Sequence, residues 1–294
     1  MIGDRWMISP DVHFGIAPAG NRPRELGASP APGITTVELP FGVWARTLAP
    51  SALAPLPVPE GASQPAPTLA RGFSDLCLRL GEDFIGPAGG MLEEGGLAKG
   101  RPTAADREAA YAKAVADCRR LMEKPWAKAA IAALLIEFPA CCSYGAAARR
   151  HLDRVTKDLS GLPLAVAFYG ADWYSARVIE GLKARGVALC LLDMPRKPGS
   201  PPSIDVVTSS LVYLKLNGRT DLFSWLPRLE ALAAQAAKLR VIFAAGEGSA
   251  AGEDGGAAGD GNEAAASAVL MAELWAGLSG DGVSKRAEDS AGGG

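Results

Sequence analysis

Residues 162–195 read LPLAVAFYGADWYSARVIEGLKARGVALCLLDMP, and they carry the pattern of a strand, a helix and a second strand. Leu162 to Phe168 and Val187 to Leu192 are short runs without a polar face, as expected of parallel strands covered on both sides. Between them Ala176, Val178, Ile179 and Leu182 form one apolar helical stripe, and Gly186 follows where a left-handed residue ends a helix at low cost. The stretch is one βαβ unit.

The same unit repeats outward in both directions. Apolar runs predict strands that start at Trp6, Thr35, Phe73, Ala132, Leu162, Val187, Leu211 and Leu239. Thr103 and Asp106 have the spacing of a capping box opening a helix to about Met122. A turn or short helix at Trp126 follows, with further helices over Tyr144 to Leu159, Trp225 to Lys238 and Ala264 to Leu274. Eight strands separated mostly by helices predict an α/β fold of the TIM type, a (β/α)8 barrel in a single domain over 1–276. A doubly wound open sheet competes, but no GxGxxG turn follows the first strand. Residues 49–67 are too rich in proline for a helix or an inner strand. The acidic, glycine-rich stretch 246–263 reads as a low-complexity loop after the last strand, and 277–294 as a disordered tail.

With 294 residues, 48% of them hydrophobic, the chain is able to bury a large core. A net charge of -2 provides no general basic field and argues against a dedicated non-specific nucleic-acid binder. The five cysteines are odd in number and form no CxxC pair, which fits a reducing, cytoplasmic setting. No run is long and apolar enough to span a bilayer, and the first residues lack the pattern of an export signal, so no membrane anchoring is expected.

Several segments, in order, resemble a known family. They are Thr36-Val37-Glu38, Leu78-Arg79, Ile136-Glu137-Phe138-Pro139, Leu162 to Phe168 followed by Trp173, Val187 to Pro195, Tyr213 to Arg219, the strand ending at Phe243, and Asn262 with Ala264. Their order is similar to that of the YecE-like family, also called domain of unknown function 72, whose members are barrels of the TIM type. The resemblance is strongest from Leu135 to Phe243 and implies the same barrel here. This chain departs from the family at polar positions. Ala167-Phe168-Tyr169-Gly170 stands where the family commonly has Glu-Phe-Arg-His, Asn217 replaces a histidine, and Ala244-Ala245 replaces a pair of asparagines. The resemblance therefore marks a divergent member in which the core is kept and much of the polar site is changed.

In such a barrel functional groups lie at the C-terminal ends of the strands. Those positions offer Glu38, Arg79, Glu137, Tyr169, Trp173, Asp193, Lys215, Asn217 and Arg219. One reading is a network of buried charges that only neutralise one another. The other is a mouth that holds a small anionic or phosphorylated ligand, such as a nucleotide segment. There Arg79, Lys215 and Arg219 meet the anion, Tyr169 or Trp173 stacks, and Glu38, Glu137 and Asp193 orient hydroxyls. For the aromatic pair, packing is the plainer role. A hydrolase acting on a phosphoester or glycoside, with Glu137 or Asp193 as the catalytic general base, is the alternative. A non-catalytic barrel that binds a partner through its alanine-rich outer helices is the third. No metal or cofactor is expected. The only histidines, His13 in the first loop and His151 on a helix rich in arginine, read as exposed residues outside any HxH or HExxH pattern. Of Cys141 and Cys142, one thiol is expected to pack inward and its neighbour to be exposed.

Overall fold

The computed structural model describes residues 11–17, 33–41, 73, 75–85, 103–194, 197–217, 221–244 and 263–278. In order, its elements are β1 (Asp11–Ala17), β2 (Ile34–Pro40), β3 (Asp75–Arg79), α1 (Ala104–Met122), α2 (Pro125–Ala130), β4 (Ile131–Phe138), α3 (Ala146–Asp158), β5 (Leu164–Phe168), α4 (Ala176–Arg185), β6 (Ala188–Leu192), β7 (Leu211–Asn217), α5 (Leu222–Ala233), β8 (Lys238–Ala244) and a last helix, α6, over 263–278. The strands pair in parallel in sequence order, and β8 closes on β1 to complete a barrel. This is the (β/α)8 architecture that the repeated strand and helix pattern predicts.

Alternation along each strand divides the core in two. Side chains such as Leu78, Leu134, Ile136, Phe168, Leu214, Val241 and Phe243 point outward and join the helices in one large apolar cluster. The intervening side chains, among them Cys77, Ala133, Leu135, Ala165, Ala167, Cys190, Tyr213 and Ile242, fill the barrel interior. Burial on both faces is why these strands read as continuous apolar runs. At Gly15 an added Cβ would lie 2.5 Å from the Thr36 carbonyl oxygen, so the β1–β2 seam closes only over glycine.

Local signals set the helix ends. Thr103 and Asp106 form the expected capping box at the start of α1, and the Ser175 hydroxyl accepts from the Val178 N–H at the start of α4. Gly186 ends α4 at φ 63° and donates its N–H to the carbonyls of Leu182 and Lys183. Pro125 opens α2, where its missing N–H costs nothing.

Four expectations are corrected. The first described strand is Asp11–Ala17, where a loop was expected; Trp6–Ile8 lies outside the described residues. Its outward side chains Val12, Phe14 and Ile16 are apolar, while the inward Asp11 and His13 find charged partners inside the barrel and masked the strand signal. His13 is accordingly a strand residue at the N-terminal end of the barrel, not a loop residue. Helix α5 spans Leu222–Ala233 instead of Trp225 to Lys238. The Asp221 side chain caps it by accepting from the Phe223 N–H, and Lys238 already belongs to β8. Finally, His151 is buried, with Nε2 2.8 Å from the Phe84 carbonyl oxygen and its ring edge against Tyr111. Helix α6 includes the expected Ala264 to Leu274 and extends over 263–278. The proline-rich stretch 49–67, nearly all of 246–263 and the chain beyond 278 lie outside the described residues.

Burial holds the His151 imidazole below its ordinary 6.5, an effect that the bond to Phe84 only partly offsets. The unfolded chain therefore takes up this proton first, and stability falls as the pH drops below about 6.5 until the folded ring also protonates. Urea denaturation from about pH 7.5 to about pH 5.5 checks this. The wild type is expected to lose stability across that interval, and His151→Gln to lose less; equal losses would assign the acid sensitivity to another group.

Candidate functional site

The C-terminal ends of β2, β3, β4, β5 and β7 direct a connected set of polar side chains into the barrel. On β7, Tyr213 and Lys215 are two residues apart and so share the inward face. Lys215 Nζ donates to Glu38 Oε1 at 3.0 Å and to Glu137 Oε1 at 2.7 Å. The Tyr213 hydroxyl donates to the other oxygen of Glu38 at 2.7 Å, and the Tyr169 hydroxyl donates to Glu137 Oε1 at 2.8 Å. Arg79 Nη1 stands 3.5 Å from Glu137 Oε2. The layer is graded in depth: side-chain exposure is 2% for Glu38 and 8% for Lys215, but 17% for Glu137 and 33% for Arg79. Glu38, Lys215 and Tyr213 form a sealed floor, and Glu137, Tyr169 and Arg79 form the accessible rim.

Electrostatics follow the contacts. Burial alone would lower the Lys215 ammonium, but Glu38 and Glu137 outweigh it and hold the group well above its ordinary 10.5. Burial would raise Glu137, yet Lys215 first and then Arg79 and the Tyr169 hydroxyl bring it below its ordinary 4.5. At neutral pH Glu137 is an ionised acceptor and a poor proton donor, and Lys215 is a cation without a free lone pair for nucleophilic attack. Around them the Tyr213 phenol and the Cys190 and Cys77 thiols are pushed up, chiefly by burial.

Of the expected mouth residues, Glu38, Arg79, Glu137, Tyr169 and Lys215 are brought together. Asp193 follows β6 and is half-buried, with its backbone N–H donating to the Lys215 carbonyl at 2.9 Å. Asn217 closes β7 in register with Ala244, and Arg219 lies outside the described residues. Trp173 packs outside the barrel instead of at its mouth. Its ring stacks on Phe168 with centroids 4.5 Å apart, and its N–H is donated to the Cys142 carbonyl at 2.6 Å. Cys142 is buried with its thiol pushed up to about 11, mainly by burial, while Cys141 is exposed.

A second polar layer closes the opposite end. Arg240 Nη2 lies 2.7 Å from Asp11 Oδ2 and 2.6 Å from Asp75 Oδ2. His13 sits between the same carboxylates, with Nε2 2.6 Å from Asp11 Oδ1 and Nδ1 3.2 Å from Asp75 Oδ2, and Thr35 Oγ1 is 2.9 Å from Nδ1. Among the described residues, Asp11, His13 and Asp75 are the group with spacing suited to a metal ion. The Arg240 guanidinium already contacts both carboxylates, so an ion there would share its ligands with a fixed positive charge.

Sequence reasoning missed Tyr213, Asp11, Asp75 and Arg240. Period two along β7 gives Tyr213 the same face as Lys215, and along β3 it gives Asp75 the same face as Arg79. An arginine inside the apolar run LRVIFA is itself a sign of a buried partner.

Comparison with known proteins agrees with this architecture. The family model described as protein of unknown function DUF72 matches residues 98–271, more than half of the 294 residues. A crystal structure of a DUF72 family protein from Thermotoga maritima superposes with a TM-score of 0.55 at 15% identity, covering 83% of this chain and 85% of that one. A DUF72 family protein from Enterococcus faecalis gives a TM-score of 0.55 at 15% identity, covering 90% of this chain and 98% of that one. At these identities the likeness is one of fold. No curated protein matches the chain.

Removing the ammonium from the sealed floor leaves two carboxylates buried side by side. Lys215→Met is expected to cost about 3–5 kcal/mol of stability, and Glu38→Gln combined with Lys215→Met to recover much of that loss. Urea denaturation of the variants at neutral pH measures both. A Lys215→Met protein as stable as wild type would show that the layer is not held by this charge.

Proposed function

The chain belongs to the family described as protein of unknown function DUF72, and we propose that its barrel mouth binds a small anionic, phosphorylated ligand. The observation that carries this reading is the gradation in depth. The floor charges of Lys215 and Glu38 satisfy one another out of reach of solvent, while Arg79, a third exposed, presents a guanidinium at the rim beside Glu137 and Tyr169. A guanidinium at a concave, partly desolvated edge is suited to a phosphate or carboxylate because its N–H groups match two oxygens at once. Glu137 and Tyr169 then orient the rest of the ligand. Because Arg79 is the more exposed of the two cations, the anion falls to it, and Lys215, held by two carboxylates, acts as the support beneath it.

A two-carboxylate hydrolase is less well served by these contacts. A general base must be unprotonated, as Glu137 is, but the Lys215 and Arg79 charges that hold it as the anion also weaken its pull on a proton. A cytoplasmic setting fits the free cysteines, and no helix among the described residues is long and apolar enough to cross a membrane.

Thermal unfolding in the presence of phosphorylated sugars and nucleotides tests the reading, with Arg79→Ala alongside. A ligand at about 100 times its dissociation constant adds about 2.7 kcal/mol of stability, which raises the midpoint by several degrees. The expected result is a rise with one phosphorylated class that Arg79→Ala abolishes while keeping its own midpoint near that of the wild type. A rise that survives in Arg79→Ala would move the anion site elsewhere.

A further inference from the structure

The two oxygens of Glu137 are used differently. Oε1 accepts from Lys215 Nζ at 2.7 Å and from the Tyr169 hydroxyl at 2.8 Å. Oε2 makes no hydrogen bond among the described residues, and Arg79 Nη1 stands 3.5 Å from it, beyond hydrogen-bond reach. An anion arriving at Arg79 therefore also meets the negative charge of this carboxylate. A bare anion finds a cancelled pair of charges and gains little. A ligand with a hydroxyl or N–H next to its anionic group does better, because it donates to Oε2 while its anion meets Arg79, and the repulsion from the carboxylate is offset by that hydrogen bond.

Glu38 keeps Oε2 available in this way. Both of its oxygens are taken by β7 side chains, Oε1 by Lys215 and Oε2 by Tyr213, and it is too deeply buried to touch a ligand. By drawing Lys215 toward β2, it leaves the ammonium one contact with Glu137 through Oε1. Without that pull, the ammonium is free to settle between both oxygens of Glu137 and occupy the one that faces Arg79.

We infer that the ligand of this mouth is a hydroxylated small anion, such as a sugar or polyol phosphate, whose hydroxyl is received by Glu137 Oε2. Glu38 and Tyr213 are positioning residues that act on Glu137 through Lys215. The inference rests on the anion-site reading above and fails separately from it.

The test is calorimetric titration of the full chain with glycerol phosphate and with methyl phosphate, which carries the anion without the neighbouring hydroxyls. The wild type is expected to bind glycerol phosphate about tenfold more tightly, as one hydrogen bond to a charged acceptor requires. Glu137→Gln and Glu38→Gln should each bring the two affinities together, whereas Arg79→Ala weakens both probes and leaves their ratio. Glu137→Asp, which keeps the charge but withdraws the oxygen by one methylene, serves as the second variant if Glu137→Gln does not fold, and it too should reduce the ratio. Equal binding of the two probes by the wild type, with both dependent on Arg79, would overturn the inference and leave the anion site standing. A ratio unchanged in folded Glu137 variants would also overturn it, an unchanged ratio in folded Glu38→Gln would remove the positioning role, and no binding of either probe would remove both readings.

Discussion

An ammonium inside a barrel is the constraint on which the rest of this site depends. Lys215 is nearly withdrawn from water, and a lone buried charge of that kind is several kcal/mol too costly for a marginally stable domain. Two carboxylates from non-adjacent strands must therefore converge on it, and other donors then gather on those carboxylates. Tyr213 takes the second oxygen of Glu38, and Tyr169 joins Lys215 on Oε1 of Glu137, while Arg79 faces Oε2 at 3.5 Å. Each polar group at the mouth is there partly because the one beneath it requires a partner. Small neighbours such as Ala167 and Cys190 complete the arrangement, since bulkier interior residues would compete for the space these long side chains need.

The architecture was written in the chain's periodicity. Runs such as Val187 to Leu192, apolar on both faces, match strands with one face toward the helices and one toward the barrel interior. Caps at Thr103 and Gly186 gave helix ends that the structure keeps. β1 was missed because its inward face bears Asp11 and His13, whose partners come from β3 and β8, far away in sequence. The burial of His151 was hidden for the same reason. Its position among arginines describes one helix face, while its partner is a backbone carbonyl in the turn after β3.

Much of the site was legible as a set of residue types at strand ends, but not as a set of roles. Glu38 and Glu137 look alike in sequence, yet one is sealed and the other reaches the rim. That distinction depends on the stagger of neighbouring strands around the closed barrel, which no local pattern encodes. Trp173 looked available beside Tyr169, but the turn that carries it folds back over Phe168, and its N–H finds the Cys142 carbonyl. Tyr213 drew no attention as an apolar strand residue, although its hydroxyl is the donor that completes Glu38.

The barrel holds one ionic assembly at each end, with a band of small or apolar side chains such as Cys77 and Ile242 between them. Along β3 the two ends are represented by Asp75 and Arg79, four residues or about 13 Å apart at the rise of a strand. Over that distance substitutions act almost independently. The lower assembly can anchor the closure of β8 onto β1 while the upper one drifts in sequence. A lineage is thereby free to exchange polar groups at one end without reopening the seam at the other. Evolvability of this kind fits a chain that keeps its barrel at 15% identity to its structural relatives.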